Sequence, residues 1–222
     1  HIYWCFFYLH RMKVISTNLG DPVTFEWNGA NEQTGIFKYP TSTSLFLTEN
    51  DVKNDTVIDR VHHGGSNKAC YLFSADYYDY WKSRYPDLKW DWGMFGENLT
   101  VDGLDESKVR VGDIYKIGEA IVQITQPREP CYKLGVRFGS QKILKEFIDH
   151  NHPGTYVKIL KEGSVTKGDE IILVEQSKNT LTIQQFYELM FSKVKSRDLL
   201  ELFMNNEFVP QYKKDRFKKY LS

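Results

Sequence analysis

The chain has 222 residues and 29 basic against 29 acidic side chains, so it carries no formal net charge at neutral pH. Apolar residues make up 41% and aromatic residues 15%, which is enough for a packed core and excludes collagen-like and wholly disordered chains. The length suits one domain of ordinary size with a small addition. Because the charge is balanced, nucleic-acid binding would need a local basic patch, and we expect no nucleic-acid partner.

The first eleven residues are interpreted apart from the rest. Met12 opens the strand-like segment MKVIS, so residues 1–11 are expected to be a non-native or disordered leader. No apolar run approaches the ~20 residues that a membrane helix needs, and we expect no membrane partner. Cys5, Cys70 and Cys131 are too few and too scattered for a disulfide framework, which indicates a reducing compartment, the cytoplasm.

Residues 12–175 show short apolar runs separated by glycine, asparagine and aspartate. These runs predict strands at 25–27, 44–47, 69–73, 113–117, 120–125, 156–160 and 170–174. The pairs Gly118-Glu119 and Glu162-Gly163 are each flanked by β-rich runs, and each predicts a hairpin turn. Many short strands joined by tight turns favour a mainly β fold with some helix, a barrel or a sandwich.

Helical patterns interrupt the strands and then replace them. Residues 75–86 and 140–150 are each predicted to form an α-helix. After Gln176 we expect three short helices that form a separate C-terminal domain at 180–222. Their starts are indicated by Thr182 with Gln185 as a capping box, by Ser196, and by Pro210 in a first turn.

Cys131 is the strongest single candidate for chemistry. It lies in ITQPREPCYKLG, directly after a predicted strand and next to Pro130, with Arg128 and Lys133 nearby. The prolines restrict the backbone, and cations favour the thiolate, which is the nucleophile and the ligand for soft metals. The alternative is a small buried side chain on a loop. For Cys70, inside the apolar run ACYLF, burial in the core is the favoured interpretation.

A second candidate is the segment DRVHHGGSNKA at 59–69. Gly64 and Gly65 permit backbone conformations that expose N–H groups to an anion, and basic side chains surround them: Arg60, His62, His63 and Lys68. The segment matches neither a Walker loop nor GxGxxG. A plain Gly-Gly turn with a structural histidine is the alternative.

Two further segments carry polar groups with weaker implications. In GMFGENLTVDGL, Glu97 is either a general acid or a cap for backbone N–H groups, and Asn98 follows it. His150 and His152 share one side of an extended segment. A zinc site needs three or four ligands and these are only two, so zinc is not predicted.

Taken together, these segments resemble the MOSC family, the domain named after the C-terminal part of molybdenum cofactor sulfurases. The resemblance is carried in order by TGIFK, RVHHGGSNKA, FGENLTVDGL, VRVGDIYKIGEAIVQITQPREPCYKL and HPGTYVKILKEGSVTKGD, and it covers residues 12–175. The helical tail is similar to the extension of the bacterial branch associated with resistance to N-hydroxylated bases such as 6-hydroxylaminopurine. In place of the family's Gly-Leu-x-Gly-Asp stands NDVKNDTVID, so no role is carried over to Asp55 or Asp59.

The resemblance implies a MOSC-type β-barrel that binds the molybdenum cofactor, with Cys131 as catalytic residue and metal ligand. It also implies contacts to the cofactor or the substrate from the segments that carry the motifs, namely Lys38, His63, Gly64, Gly65, Glu97, Asn98, Arg128 and Lys133. The implied activity is reduction of N-hydroxylated compounds, with electrons from a separate flavin or iron–sulfur reductase. Pyridoxal phosphate is not expected, and a homodimer is a further expectation.

Two other functions remain open from the residues. One is a sulfur or cofactor carrier in which Cys131 bears a persulfide and no organic substrate is reduced. The other is a non-catalytic binding barrel in which Cys131 is structural.

Overall fold

A computed structural model describes residues 12–58 and 64–221 of the chain. The predicted leader at 1–11 lies outside the described residues. The strands of the described part, numbered β1 to β12 in chain order, span Met12–Leu19, Val23–Trp27, Ala30–Thr34, Tyr39–Pro40, Leu45–Leu47, Cys70–Ser74, Leu99–Asp102, Ile114–Ile117, Ala120–Pro127, Thr155–Lys161, Gly163–Val165 and Glu170–Glu175.

Seven of these strands close into a barrel, in the order β1, β12, β8, β9, β10, β6, β7 and back to β1. Closure comes from β1, which pairs with β7 along most of its length and with β12 at Met12↔Ile171. The β6–β7 pair is parallel, and the other pairs of the barrel are antiparallel. Each predicted strand is confirmed with nearly the predicted ends. Five of them belong to the barrel, whereas β2 pairs with β3 and β5 pairs with β11 outside it.

The two predicted hairpins have different outcomes. Gly118-Glu119 joins β8 to β9 through the pair Ile117↔Ala120, as expected. The hairpin predicted at Glu162-Gly163 is wrong, because β11 turns away from β10 and pairs with β5. A glycine-containing turn motif indicates where the chain bends. Packing against segments distant along the chain decides which strand a three-residue strand pairs with.

The α-helices of the described part, numbered α1 to α6, span Tyr78–Arg84, Tyr132–Phe138, Lys142–His150, Ile183–Phe191, Arg197–Met204 and Gln211–Phe217. The predictions at 75–86 and 140–150 correspond to α1 and α3. Helix α2 was not predicted, since it is short and carries Gly135 in its middle. A side chain at Gly135 would displace the amide of Gln141, which donates to the Tyr132 carbonyl at 3.0 Å.

The three C-terminal helices α4, α5 and α6 begin where the sequence indicated. The Thr182 hydroxyl accepts from the Gln185 N–H, and the Gln185 side chain accepts from the Thr182 N–H, which is a capping box. Ser196 caps α5, and Pro210 immediately precedes α6. The apolar cluster of the barrel continues into these helices through buried residues such as Phe186 and Phe203. The division into two domains stays a prediction.

An aromatic cluster packs against the outside of β6. Phe73 stacks on Phe95 with ring centroids 4.2 Å apart, and Phe147 of α3 lies 6.0 Å from Phe95. Trp81 of α1 completes the contact with Phe147. These large buried rings fix the position of the segment around Phe95, which borders the site described below. In the described chain, no helix combines the length and apolar character needed to cross a membrane.

Candidate functional site

Cys131 lies between the end of β9 and the start of α2, and its side chain is half-buried. It lines two adjoining hollows, which also share Lys68 and Tyr156. The backbone at Cys131 is extended and its carbonyl accepts from the Leu134 N–H at 2.8 Å. The thiol is therefore held by Pro130 on one side and by a helical turn on the other, and is not sealed in the core.

The first hollow holds about 650 Å³ when its open mouth is counted. It brings together five of the residues predicted from the sequence, namely Lys38, Asn98, Arg128, Cys131 and Lys133. These side chains come from segments nearly a hundred positions apart along the chain. Their convergence on one cavity is the structural basis for treating it as the candidate site.

Arg128 is the buried cation of this cavity, with 5% of its surface exposed. Its guanidinium donates to the Phe95 carbonyl and lies over the ring of Tyr71, 5.2 Å from the centroid. Burial lowers the pKa of Arg128, but Tyr71, Tyr156 and the Cys131 thiol raise it by more. Among the described residues no carboxylate forms an ion pair with Arg128. A buried charge without a counter-charge is costly, so this position favours an anionic ligand.

Lys38, in contrast, already has a partner. Its ammonium pairs with the carboxylate of Asp55, and both side chains are almost fully buried. The same carboxylate accepts from the Asn98 amide at 2.8 Å and from the Gly20 N–H at 3.3 Å. Asp55 therefore belongs to the cavity, although the sequence assigned it no role. The charge of Lys38 is balanced within the protein, which leaves Arg128 as the stronger attraction for an anion.

The rim of the cavity carries two more lysines beside tyrosine rings. The Lys68 ammonium is 5.9 Å from the ring centroid of Tyr156, and the Lys133 ammonium is 5.9 Å from that of Tyr132. All four side chains are half-buried. Burial raises the pKa of Tyr156, while the neighbouring Arg128 lowers it. The rim thus adds positive charge and aromatic surface to the mouth of the cavity.

The predicted anion cradle borders the other hollow. Gly64 and Gly65 line it, and Gly65 has a φ of +91° with no atom near the position of a side chain. The positive-φ backbone conformation that favours glycine is therefore present, and the space beside Gly65 is open. His63, together with Arg60, His62 and Asp59, lies outside the described residues.

Glu97 does not line either hollow. It is completely buried, and its carboxylate accepts from the N–H groups of Gly93 and Phe95 at 2.9 and 3.1 Å. It also accepts from the Thr100 hydroxyl at 2.8 Å and from the Tyr78 hydroxyl. This buried position does not agree with the contact to the cofactor or substrate that the family resemblance implies for Glu97. Glu97 instead holds the turn that presents the Phe95 carbonyl to Arg128.

The two histidines considered for zinc form a separate aromatic pair. His152 Nδ1 is 3.1 Å from the buried carboxylate of Glu106, and the two imidazole centroids are 5.0 Å apart. In the described ranges, no group of three or more His, Cys, Asp or Glu is arranged to hold a metal ion.

Several residues of the site were not identified from the sequence. In the sequence, Tyr71 and Tyr156 belong to predicted strands, and Tyr212 and Arg216 belong to a predicted terminal helix. All four line one of the two hollows. The alternation of β10 could have placed Tyr156 opposite the core-facing Val157. No local signal in the sequence indicates that α6 reaches the Cys131 segment.

Comparison with known proteins gives consistent matches. A family model described as MOSC domain matches residues 59–172. The uncharacterized protein YflK of Bacillus subtilis (strain 168) is 34% identical over 191 residues, which cover 86% of this chain and 86% of that protein.

A second relative and a solved structure extend the comparison. A protein named Reductase from Gibberella moniliformis is 33% identical over 152 residues, which cover 67% of this chain and 27% of the fungal protein. The crystal structure of YiiM from Geobacillus stearothermophilus is 26% identical, has a TM-score of 0.79, and matches 95% of this chain and 100% of its own.

Proposed function

Because this chain belongs to the MOSC domain family, we propose that it is an oxidoreductase that binds the molybdenum cofactor and reduces N-hydroxylated compounds. Hydroxylamines and N-hydroxylated bases are the substrates in this proposal. The observation that carries it is the half-buried Cys131 thiol beside a cavity with a buried Arg128, which no carboxylate of the described residues pairs with. The name of the fungal relative, Reductase, agrees with the reaction type.

The residues present fit the cofactor. A thiolate is a soft ligand of the kind that binds a metal rich in sulfur ligands, and Cys131 can supply one. Arg128 offers a guanidinium suited to a phosphate, and Lys68 and Lys133 add charge at the rim. Asn98 lines the same cavity and is held in place by Asp55. When bound, the cofactor supplies the two-electron exchange and the acceptance of oxygen that protein side chains cannot provide.

The protein's own part in the reaction is binding and electrostatics. The overall change is R–NHOH + 2 electrons + 2 protons → R–NH₂ + H₂O, in which the N–O bond breaks and nitrogen is reduced. The electrons come from a separate flavin or iron–sulfur reductase, which is the proposed partner. The charges of Arg128, Lys68 and Lys133 would hold the anionic cofactor near Cys131 and would stabilise negative charge there.

The cytoplasm is the proposed location. Three cysteines scattered along the chain do not make a disulfide framework, which supports a reducing environment.

The deciding experiment is the molybdenum and pterin content of protein purified from a host that makes molybdopterin, together with reduction of hydroxylamine. We expect about one molybdenum per chain and turnover in the wild type. Cys131→Ser should lose turnover and keep its fold, because a half-buried loop thiol contributes little to the core. Cys70→Ala is the matched control, since Cys70 is buried in β6 and should be dispensable for the cofactor.

Three outcomes would contradict the proposal in different ways. Cyanide-releasable sulfur without molybdenum would support the sulfur carrier instead. Neither metal nor labile sulfur in such a host would support the non-catalytic barrel. Full activity of Cys131→Ser would remove the thiol from the mechanism.

A further inference from the structure

Strands β2 and β3 form a two-stranded sheet of their own beside the barrel, which we call the arm. Phe25 of β2 lies directly opposite Glu32 of β3, so these two side chains share one face of the arm with Trp27. All three are half-buried, whereas Glu26 on the opposite face is exposed. A two-stranded sheet has little stability alone in water, so the contacts of its half-buried face decide where the arm lies.

That face of the arm contacts Tyr132, the residue that directly follows Cys131. The ring centroid of Tyr132 is 4.9 Å from that of Trp27 and 6.5 Å from that of Phe25. The Tyr132 hydroxyl donates a hydrogen bond to the carboxylate of Glu32. Both the ring and the hydroxyl of Tyr132 are therefore held by the arm, a hundred residues earlier in the chain.

The backbone around Tyr132 is held as well. The Tyr132 carbonyl accepts from the Gln141 side-chain amide at 3.0 Å, and the Cys131 carbonyl accepts from the Leu134 N–H at 2.8 Å. Pro130 restricts the chain on the other side of Cys131. Because the peptide unit between Cys131 and Tyr132 is planar, holding Tyr132 limits the positions open to the Cα atom of Cys131.

The other end of the arm is built into the wall of the cationic cavity. Strand β3 ends at Thr34, which is 2% exposed and lines that cavity together with Gly35. A side chain at Gly35 would collide with the carbonyl of Thr56, so the chain is packed tightly against backbone there. The arm thus connects the wall of the cavity to the residue next to the thiol.

We propose that the arm positions the reactive thiol, and that Glu32 is a positioning residue for Cys131 that acts through the hydroxyl and ring of Tyr132. The inference rests on the proposed function for the role of the thiol. A reacting group is useful only when it is held close to its productive geometry, and residues outside the site often supply that restraint. Its structural part, the restraint of the backbone at Cys131, is measurable in protein without cofactor.

The structural part is tested by amide hydrogen exchange of the full chain, followed by NMR. The Leu134 N–H is the reporter, because its bond to the Cys131 carbonyl must open before it exchanges. Glu32→Ala and Tyr132→Phe each remove the bond between the two side chains, and each should speed this exchange by about fivefold, the ratio that corresponds to one lost hydrogen bond. The double variant should match the single variants, since all three lack the same bond.

Two matched variants separate positioning from a general effect on the arm. Glu32→Gln keeps an oxygen that accepts from the Tyr132 hydroxyl, so exchange at Leu134 should return close to the wild-type rate. Glu26→Ala removes a carboxylate from the exposed face of the same strand pair and should leave that rate unchanged. If Glu32→Ala and Tyr132→Phe speed exchange within β2 and β3 but not at Leu134, Glu32 only stabilises the arm and the inference is overturned.

The functional part is tested on the molybdenum-loaded protein with hydroxylamine. Glu32→Ala should lower kcat by about tenfold, less than the roughly hundredfold that a displacement of about 1 Å can cost, with little change in KM. Glu32→Gln should recover most of the loss. An increase in KM with kcat unchanged would assign Glu32 to substrate binding and would refute a positioning role.

Failure of the reductase proposal is distinguishable from failure of this one. If neither the wild type nor any variant reduces hydroxylamine, but exchange at Leu134 changes as expected, the function is wrong and the restraint of Cys131 by the arm stands. If hydroxylamine is reduced and exchange at Leu134 is the same in all variants, the function stands and the positioning role is wrong.

Discussion

Replacing Asp55 by asparagine removes the counter-charge of a buried lysine and tests the electrostatics of the cationic cavity. Lys38 is 5% exposed, and the side chain of Asp55 is 3% exposed. Breaking such a pair costs about 3–5 kcal/mol. The amide oxygen of the new side chain can still accept from Asn98 or Gly20, so we expect the lower end, about 3 kcal/mol, which lowers Tm by about 6–12 °C in a protein of this size.

Urea unfolding of four proteins isolates this pair: the wild type, Asp55→Asn, Lys38→Met and the double variant. An apolar replacement of a buried ion pair is often close to neutral. The double variant should therefore be more stable than the sum of the single losses implies, with a coupling energy of about 2–3 kcal/mol. Asp79→Asn is the matched control, since Asp79 is 95% exposed in its pair with Lys82.

Asp55→Asn is also expected to bind anions more tightly than the wild type. With the carboxylate of Asp55 removed, the charge of Lys38 joins that of Arg128 in the cavity, and inorganic phosphate should stabilise Asp55→Asn more than the wild type. Comparing Tm in phosphate and in chloride at equal ionic strength measures this difference. If Asp55→Asn is no less stable than Asp79→Asn, the reasoning about a buried pair is refuted. If phosphate acts equally on both proteins, the cavity is not the anion site.

Three further predictions concern the supporting residues. Arg128→Gln should reduce retention of the cofactor by about 10–100-fold, the loss expected for one charge-assisted contact, and Lys133→Gln should reduce retention less. Equal pterin content in the two purified variants would contradict this. Glu97→Gln should lower stability by about 1–3 kcal/mol, because its amide would face the Phe95 N–H, and unfolding at the wild-type urea midpoint would refute it. Burial, with help from His152 and Arg84, lowers the pKa of His150 from 6.5 to about 4. Between pH 6.5 and 4 the imidazole of His150 is protonated in the unfolded chain but not in the folded protein. The free energy of unfolding should therefore fall by about 1–2 kcal/mol as the pH is lowered through this range, after allowing for partial exposure. His150→Phe should flatten the dependence of stability on pH there.

Cys131 could be identified as a candidate residue from the sequence because its signals are local. Pro130, the preceding strand and the nearby cations all lie within a few residues of Cys131. The strands and the starts of the C-terminal helices follow from alternation and capping, which are also local patterns. Glu97 shows the limit, because the sequence allowed either a site carboxylate or a backbone cap, and only its burial decided between them.

What the sequence alone determined, then, is the set of chemical groups and the periodicity that sorts them into strands and helices. Tertiary structure decided which charges are compensated: Lys38 is neutralised by Asp55, whereas Arg128 lies over Tyr71 without a carboxylate partner among the described residues. It also brought Tyr212 and Arg216 of helix α6 to a hollow that Cys131 lines. The physical reason is that burial and Coulomb energy depend on distances between segments remote along the chain, and no local pattern records those distances.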